Sequence, residues 1–462
     1  MPAPPRHAFE TEAEALAWLD LERPGLVAAA RLAASRPGPG QAAWLLADTL
    51  RGYFWLRMCV VDWHAVGAAG LSAAVAAGDL AGQAAAELCL ADPYRLQGRF
   101  QDAIEHYSRA AEQARAGGWD AGEGIVLTNL GMAYLWLGQL DEAARCWQRR
   151  LEIATRTGDR AGAAASLTNL GLLDLSWGEL GRAAERHLRA ADLQRAIGSR
   201  QNEAIALANL AETYQLLGRL GEAHDHLLRA LALHREAGDR GAEAESLRIL
   251  AVVLLDLGEQ DRALQVATQA AALAVETGHR PIEAGALNTL GSVRCRLGRY
   301  ADALADHEQA RRLARDTETP HAELVALAGL AACHLRLGHL DRALALAEHV
   351  AADATNRDYR IVAGQALTTL LEVHLAAGDP AAAVDNGRRA LDLHRGTGHR
   401  HGEARTALLL GHALRATDHV AATRSCRDAR DLFAALGAPE AADAEALLHK
   451  WQAVDSESRA RE

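Results

Sequence analysis

The sequence predicts an all-α solenoid built from helical hairpins, and three observations carry that expectation. The stretch Ile125 to Arg160, IVLTNLGMAYLWLGQLDEAARCWQRRLEIATRTGDR, returns 40 residues on as SLTNLGLLDLSWGELGRAAERHLRAADLQRAIGSR, and again as ALANLAETYQLLGRLGEAHDHLLRALALHREAGDR. Each copy reads as two amphipathic helices joined at a Gly, and self-similarity at a fixed period marks a repeat architecture. Second, Gly98, Gly138, Gly178, Gly218, Gly258, Gly298, Gly338 and Gly378 stand 40 apart, with Asp418 in the ninth place. Third, 50% of the residues are hydrophobic but only 4% are aromatic, so Ala and Leu must build the core. Such a core suits helices packed closely in pairs.

In chain order, residues 1–10 carry three prolines and no periodicity, and a disordered tail is expected there. Residues 11–79 are expected to hold degenerate helical repeats, as chain ends of solenoids do. They begin with a helix capped by Thr11, and a second from Leu26 to Ala34 follows Pro24 and Gly25. The loop SRPGPG (Ser35 to Gly40) breaks the chain before QAAWLLADTLRGYFWLRM and VDWHAVGAAGLSAAVAAG, two longer helices only loosely in register.

Residues 80–437 form the regular array. The Gly column ends each first helix in the left-handed conformation, and an Ala five residues later (Ala103, Ala143, Ala183 and onward) lets the second helix lie close. Gly158, Gly198, Gly238, Gly278 and Gly398 end the second helices. Asp159, Ser199 and Asp239 can cap the helices that follow, and Glu203, Glu243, Glu283 and Glu403 suit first turns, where the helix dipole favours acids. Pro281, Pro320, Pro380 and Pro439 fall at predicted first turns, where a missing N–H is harmless. Pro93 falls inside a first helix, which predicts a kink or break. Residues 438–452 read as a capping helix, Glu440 to Trp451, and residues 453–462 as a second disordered tail.

Composition excludes several functions. A net charge of −11 argues against a nucleic-acid surface, which needs a clustered positive face. The six cysteines (59, 89, 146, 295, 333 and 426) contain no C-x-x-C pair, so neither a metal site nor a redox motif is expected, and reduced thiols are. Lys450 is the single lysine, which rules out a G-x-x-x-x-G-K-[ST] phosphate loop and a lysine Schiff base. No apolar h-region opens the chain, and the apolar-looking run Ala65–Gly78 stops at Asp79, short of the roughly 18 residues a membrane span requires. No catalytic constellation, cofactor or metal is therefore expected, and the expected setting is cytoplasmic, without membrane or direct nucleic-acid partners.

The columns L-x-N-L-G…L-G-x-L-x-x-A resemble the tetratricopeptide repeat, here with 40 residues rather than about 34 per unit. The resemblance implies a right-handed superhelix whose first helices line a concave face that binds a protein or peptide. The segment EALAWLDLERPGLVAAARLAA resembles the start of the C-terminal repeat region of bacterial STAND regulators, including the SARP transcriptional regulators. That resemblance implies a sensor or regulatory module, with the NB-ARC ATPase portion of such a regulator as a second partner. A free-standing adaptor and a small-molecule receptor stay open as alternatives.

Candidate groove residues follow from the columns. Asn129, Asn169 and Asn209 occupy one column, and the resemblance implies hydrogen bonds to the backbone of an extended peptide. The other reading is that they bond neighbouring helices. A second column runs Trp136, Ser176, Leu216, Asp256, Arg296 and Arg336, with Arg248 on the same face. It reads either as an apolar entrance at Trp136 leading to a carboxylate-gripping basic stretch, or as a solvated face. Arg294, His334 and His374 stand where other units have Tyr134 and Tyr214, and are candidates for a ligand- or pH-sensitive site or for packed rings.

Overall fold

A computed structural model describes Phe9, residues 11–35 and residues 41–461, with side chains omitted for Glu12 and for residues beyond Ala453. The expected N-terminal tail (Phe9 apart) and the core of the SRPGPG loop lie outside the described residues. Every element among those described is a helix, and the chain divides into two compact units, Met1–Gly162 and Ala163–Glu462.

The first unit holds α1 (Glu12–Ser35), α2 (Gln41–Arg57), α3 (Val60–Ala77), α4 (Leu80–Leu96), α5 (Phe100–Ala116), α6 (Asp120–Trp136) and α7 (Leu140–Thr157). The repeat register starts earlier than the glycine columns suggest. Helices begin at residues 60, 80, 100, 120 and 140, and Met58 takes the joint with φ 52°, a left-handed conformation normally left to Gly. With Met in the Gly column, the register is hidden in the sequence.

Two prolines that would be expected to break helices do not. α1 runs through Pro24 because Val27 and Ala30, beyond it, bury against Phe54, Trp63 and Val66. α4 runs unbroken through Pro93, which lies in its last turn within the buried stretch Cys89 to Pro93. By length and composition α3 is apolar enough to cross a membrane, but in this unit it packs against α1, α2 and α4, with Trp63 and Val66 fully buried.

The second unit holds α8 (Arg160–Ser176, its first turn at the unit boundary), α9 (Leu180–Ala196), α10 (Arg200–Leu216), α11 (Leu220–Ala237), α12 (Arg240–Asp256) and α13 (Gln260–Thr277). It continues with α14 (Arg280–Arg296), α15 (Tyr300–Asp316), α16 (Pro320–Arg336), α17 (Leu340–Asn356), α18 (Arg360–Ala377) and α19 (Pro380–Thr397). It ends with α20 (Arg400–Leu414), α21 (His419–Leu436) and α22 (Glu440–Arg461). α22 therefore runs on beyond the expected end at Trp451, and residues 453–461 are helical.

Even-numbered helices form an inner layer: α10 packs on α12, α12 on α14, α14 on α16, α16 on α18 and α18 on α20. Odd-numbered helices pack mainly on their two flanking inner helices. The joints follow simple chemistry. Asp239, Asp379 and Asp418 accept a backbone N–H three residues on, whereas Ser199 makes no such cap and instead accepts from Asn202. Asp418, standing in the Gly column, caps α21 after a shortened α20, and α21 starts one residue early. Glu203, Glu243 and Glu403, in first turns, each receive the Arg eight residues earlier, Arg195, Arg235 and Arg395, at 3.0, 2.6 and 3.0 Å.

Packing within a hairpin conserves volume between two columns. The His187 ring fills the space over Gly171, where a Cβ would meet it at 2.5 Å, and His307 does the same over Gly291. The equivalent pair in another repeat is Ala251 with Ala267, both fully buried. In a further repeat the sizes are exchanged, and Leu371 fills the space over Gly387. The core is thin, so where one column carries a large side chain the other carries a small one.

The second unit also closes on itself. Arg360 of α18 reaches the Trp177 carbonyl and the Glu179 carboxylate at the α8–α9 joint. Added Cβ atoms at Gly178, Gly218 and Gly258 would lie 2.4, 2.1 and 3.1 Å from Thr397, Leu436 and Pro439 respectively. Three early joints thus abut the ends of α19 and α21 and the α21–α22 joint of the same unit.

Candidate functional site in the inner helical layer

Closure brings the inner helices of the second unit onto one charged cluster. Asp256, at the end of α12, accepts from the Gln215 amide of α10 at 2.6 Å and lies 3.8 Å from Arg296 of α14. Arg296 also donates to Glu440 of α22 at 2.9 Å. His401 of α20 stands between the two acids, 4.0 Å from Asp256 and 3.8 Å from Glu440. Burial pushes the Glu440 carboxyl up, but His401 and Arg296 outweigh it and bring it down to about 2. Beside this group, buried Glu372 of α18 accepts from Arg405 at 2.5 Å and from Arg336 at 3.0 Å. Burial again opposes ionisation, and the two guanidiniums hold Glu372 below the usual carboxylate range.

The three groove arginines are therefore already partnered. Arg248 lies 2.7 Å from Glu212 and 2.6 Å from Glu245, Arg296 holds Glu440, and Arg336 holds Glu372. His401, Arg405, Glu372 and Glu440 were not singled out in the sequence. One signal was present for part of the cluster. Glu212–Arg248 and Arg336–Glu372 are each 36 residues apart, one repeat less one helical turn, which places opposite charges on adjacent inner helices.

The asparagine column divides. In the first unit, Asn129 donates to buried Asp92 at 3.3 Å, and Asp92 also takes Tyr107 at 2.6 Å and Arg51 at 3.0 Å. Asn129 thus joins α6 to α4. In the second unit, Asn169 and Asn209 are half-buried on α8 and α10, and neither side-chain amide makes a hydrogen bond among the described residues. Trp136, in the first unit, stacks on Phe100 at 6.4 Å.

Arg294, His334 and His374 do not come together as one group. Arg294 is held by Asp306 at 2.7 Å. His334 pairs with His339 of the following joint, Nδ1 to Nδ1 at 3.3 Å, and burial lowers its pKa. His374 has no ring contact or hydrogen bond to either among the described residues. No group of three or more His, Cys, Asp or Glu that could hold a metal occurs among the described residues.

The family model for the tetratricopeptide repeat matches residues 122–196, 202–274 and 283–356. These three stretches carry tetratricopeptide repeats. The repeat array is a protein-interaction scaffold, and the hairpins described above are its units. Among solved structures, a Rap protein complexed with competence and sporulation factor is similar, with TM-score 0.58 and 14% identity over 77% of this chain and 98% of that one. Aspartyl phosphate phosphatase F from Bacillus subtilis follows with TM-score 0.46 and 13% identity, over 75% and 92% of the two chains. A Signal Transduction ATPase with Numerous Domains protein with a tetratricopeptide repeat sensor, from Pyrococcus horikoshii, has TM-score 0.43 and 14% identity, over 81% and 56%. No curated protein matches the sequence.

Proposed function

We propose that this tetratricopeptide array holds an extended protein segment against its inner helices, as the sensing or regulatory module of a cytoplasmic bacterial transcriptional regulator. One observation carries the binding reading: Asn169 and Asn209 repeat at one position on α8 and α10, and their amides are unbonded while Asn129 is satisfied internally. An extended segment advances about 3.3 Å per residue, so helices 8–10 Å apart present one amide to about every third residue. Backbone hydrogen bonds would supply affinity and side-chain pockets would set register. The regulator assignment is supported by the segment EALAWLDLERPGLVAAARLAA, and it adds the NB-ARC ATPase portion of such a regulator as a partner. Binding there would act by shifting the equilibrium between the ATPase's states.

The test uses peptides selected by display on the purified chain. Asn169→Ala and Asn209→Ala should each weaken binding about two- to twelve-fold, one hydrogen bond apiece, with melting temperature unchanged. Asn129→Ala should lower the melting temperature instead. Normal peptide affinity in the Asn169→Ala/Asn209→Ala double variant would refute the binding site. Failure of an NB-ARC portion to co-purify with the array would refute the regulator assignment and leave the binding site standing.

A further inference from the structure

The cysteines are spread through the sequence, but two of them meet. Cys295 lies at the end of α14 and Cys333 on α16, inner helices that pack directly on each other, at the same 38-residue offset that brings Thr368 and Thr406 of α18 and α20 within 2.8 Å. Their separation of 38 residues is one repeat less two, so no C-x-x-C spacing announces the pair. Cys295 is half-buried, Cys333 is fully buried, and both are free thiols. Arg336 and Arg405, which share Glu372, act on Cys295 electrostatically.

We propose that Cys295 and Cys333 are a site of reversible oxidation, in which a hydroperoxide oxidises Cys295 and Cys333 resolves it to a disulfide joining α14 to α16. The environment separates the roles. Cys295 accepts the hydrogen bond from Cys333 and feels Arg336 and Arg405, which bring it down to about 7 against the opposing effect of burial. Donation to Cys295, together with burial, raises Cys333, so Cys295 is the more readily ionised of the two. Burial pushes Cys89 and Cys146 up to about 12 and Cys426 to about 11, which makes them inert by comparison.

The chemistry balances. The Cys295 thiolate attacks the outer oxygen of the hydroperoxide, the O–O bond breaks, and the departing alkoxide takes a proton and leaves as the alcohol. Cys295 is then a sulfenic acid. Cys333 loses its proton and attacks the Cys295 sulfur, water leaves, and the S–S bond forms. Two electrons pass from the thiols to the peroxide. The step requires the sulfurs to close to about 2.05 Å between helices already in contact. The product staples two inner helices.

The purified chain would be treated with hydrogen peroxide, digested without reduction and mapped by mass. The expected result is one linked peptide pair containing Cys295 and Cys333, reversed by dithiothreitol. Cys333→Ser should instead leave a Cys295 sulfenic acid that dimedone traps, and Cys295→Ser should show neither product at the same peroxide dose. In untreated wild type, Cys295 should be alkylated by iodoacetamide at pH 7 about tenfold faster than Cys59, a measurement that needs no variant to fold. Alkylation of Cys295 no faster than Cys59, or a peroxide-induced disulfide joining any other pair, would overturn the proposal.

Discussion

The Arg360 guanidinium lies 3.2 Å from the Glu179 carboxylate, although 181 residues separate them in sequence. Both side chains remain partly open to solvent, so Arg360→Ala should cost no more than about 1 kcal/mol. The contact marks the seam at which the second unit closes, and tight packing there matters more than the charge pair.

Two glycines separate packing at that seam from backbone strain. Gly178 and Gly338 have φ 73° and 77°, so any L residue is strained at both. At Gly338 an added Cβ meets nothing within 4 Å, whereas at Gly178 it comes within 2.4 Å of Thr397, whose hydroxyl is bonded to its own helix. Gly338→Ala should cost about 1–2 kcal/mol, and Gly178→Ala about 1–3 kcal/mol more, read from urea unfolding. Equal losses would mean that the seam tolerates the methyl.

The volume exchange between hairpin columns gives a double-mutant cycle. Gly171→Ala drives a methyl into the His187 ring and should destabilise by about 1–3 kcal/mol. With His187→Ala added, the pair becomes Ala with Ala, as at Ala251 and Ala267, and the Gly171→Ala penalty should vanish. A coupling energy below about 0.5 kcal/mol would show that the columns are independent.

Glu318 holds φ 50° in the column where most repeats place Gly. A left-handed L residue costs about 1–2 kcal/mol, and the extra unfolded-state freedom of Gly returns about 0.5–1 of that. Glu318→Gly should therefore raise stability by about 0.5–1 kcal/mol, seen as a higher urea midpoint with unchanged slope. Asp358, at φ 57° in the next repeat, should respond less, because Asp tolerates this conformation better.

Acid should weaken the fold before its carboxylates titrate. Burial lowers His187, His307 and His394 to about 4 each, from an ordinary 6.5, so the folded chain holds them neutral. Between those values the unfolded chain binds the extra protons. Stability is then full above pH 6.5 and is lost as pH falls toward 4, by up to about 3 kcal/mol per ring. Thermal midpoints should be level near pH 7–8 and fall steeply below 6.5. In His187→Gln, the pH slope near 5 should be smaller by about one proton. An unchanged slope would mean that His187 protonates in the fold.

Periodicity alone determined the helical hairpin, its 40-residue length and the joint glycines. These are local properties: a turn needs left-handed φ and a helix needs one apolar face. The sequence also placed Asn169 and Asn209 in one column, since equal positions in equal repeats face alike. It hid the register at Met58, because a left-handed Met leaves no mark in composition, and it suggested a helix break at Pro24, whose local penalty is outweighed by burial of the residues beyond it. Only the tertiary structure decided that Arg248, Arg296 and Arg336 are neutralised, that His401 stands between Asp256 and Glu440, and that Cys295 meets Cys333. Each depends on how successive hairpins rotate about one another until α20 and α22 return to α12 and α14. That rotation is a sum of small packing angles over many repeats, and no single residue encodes it.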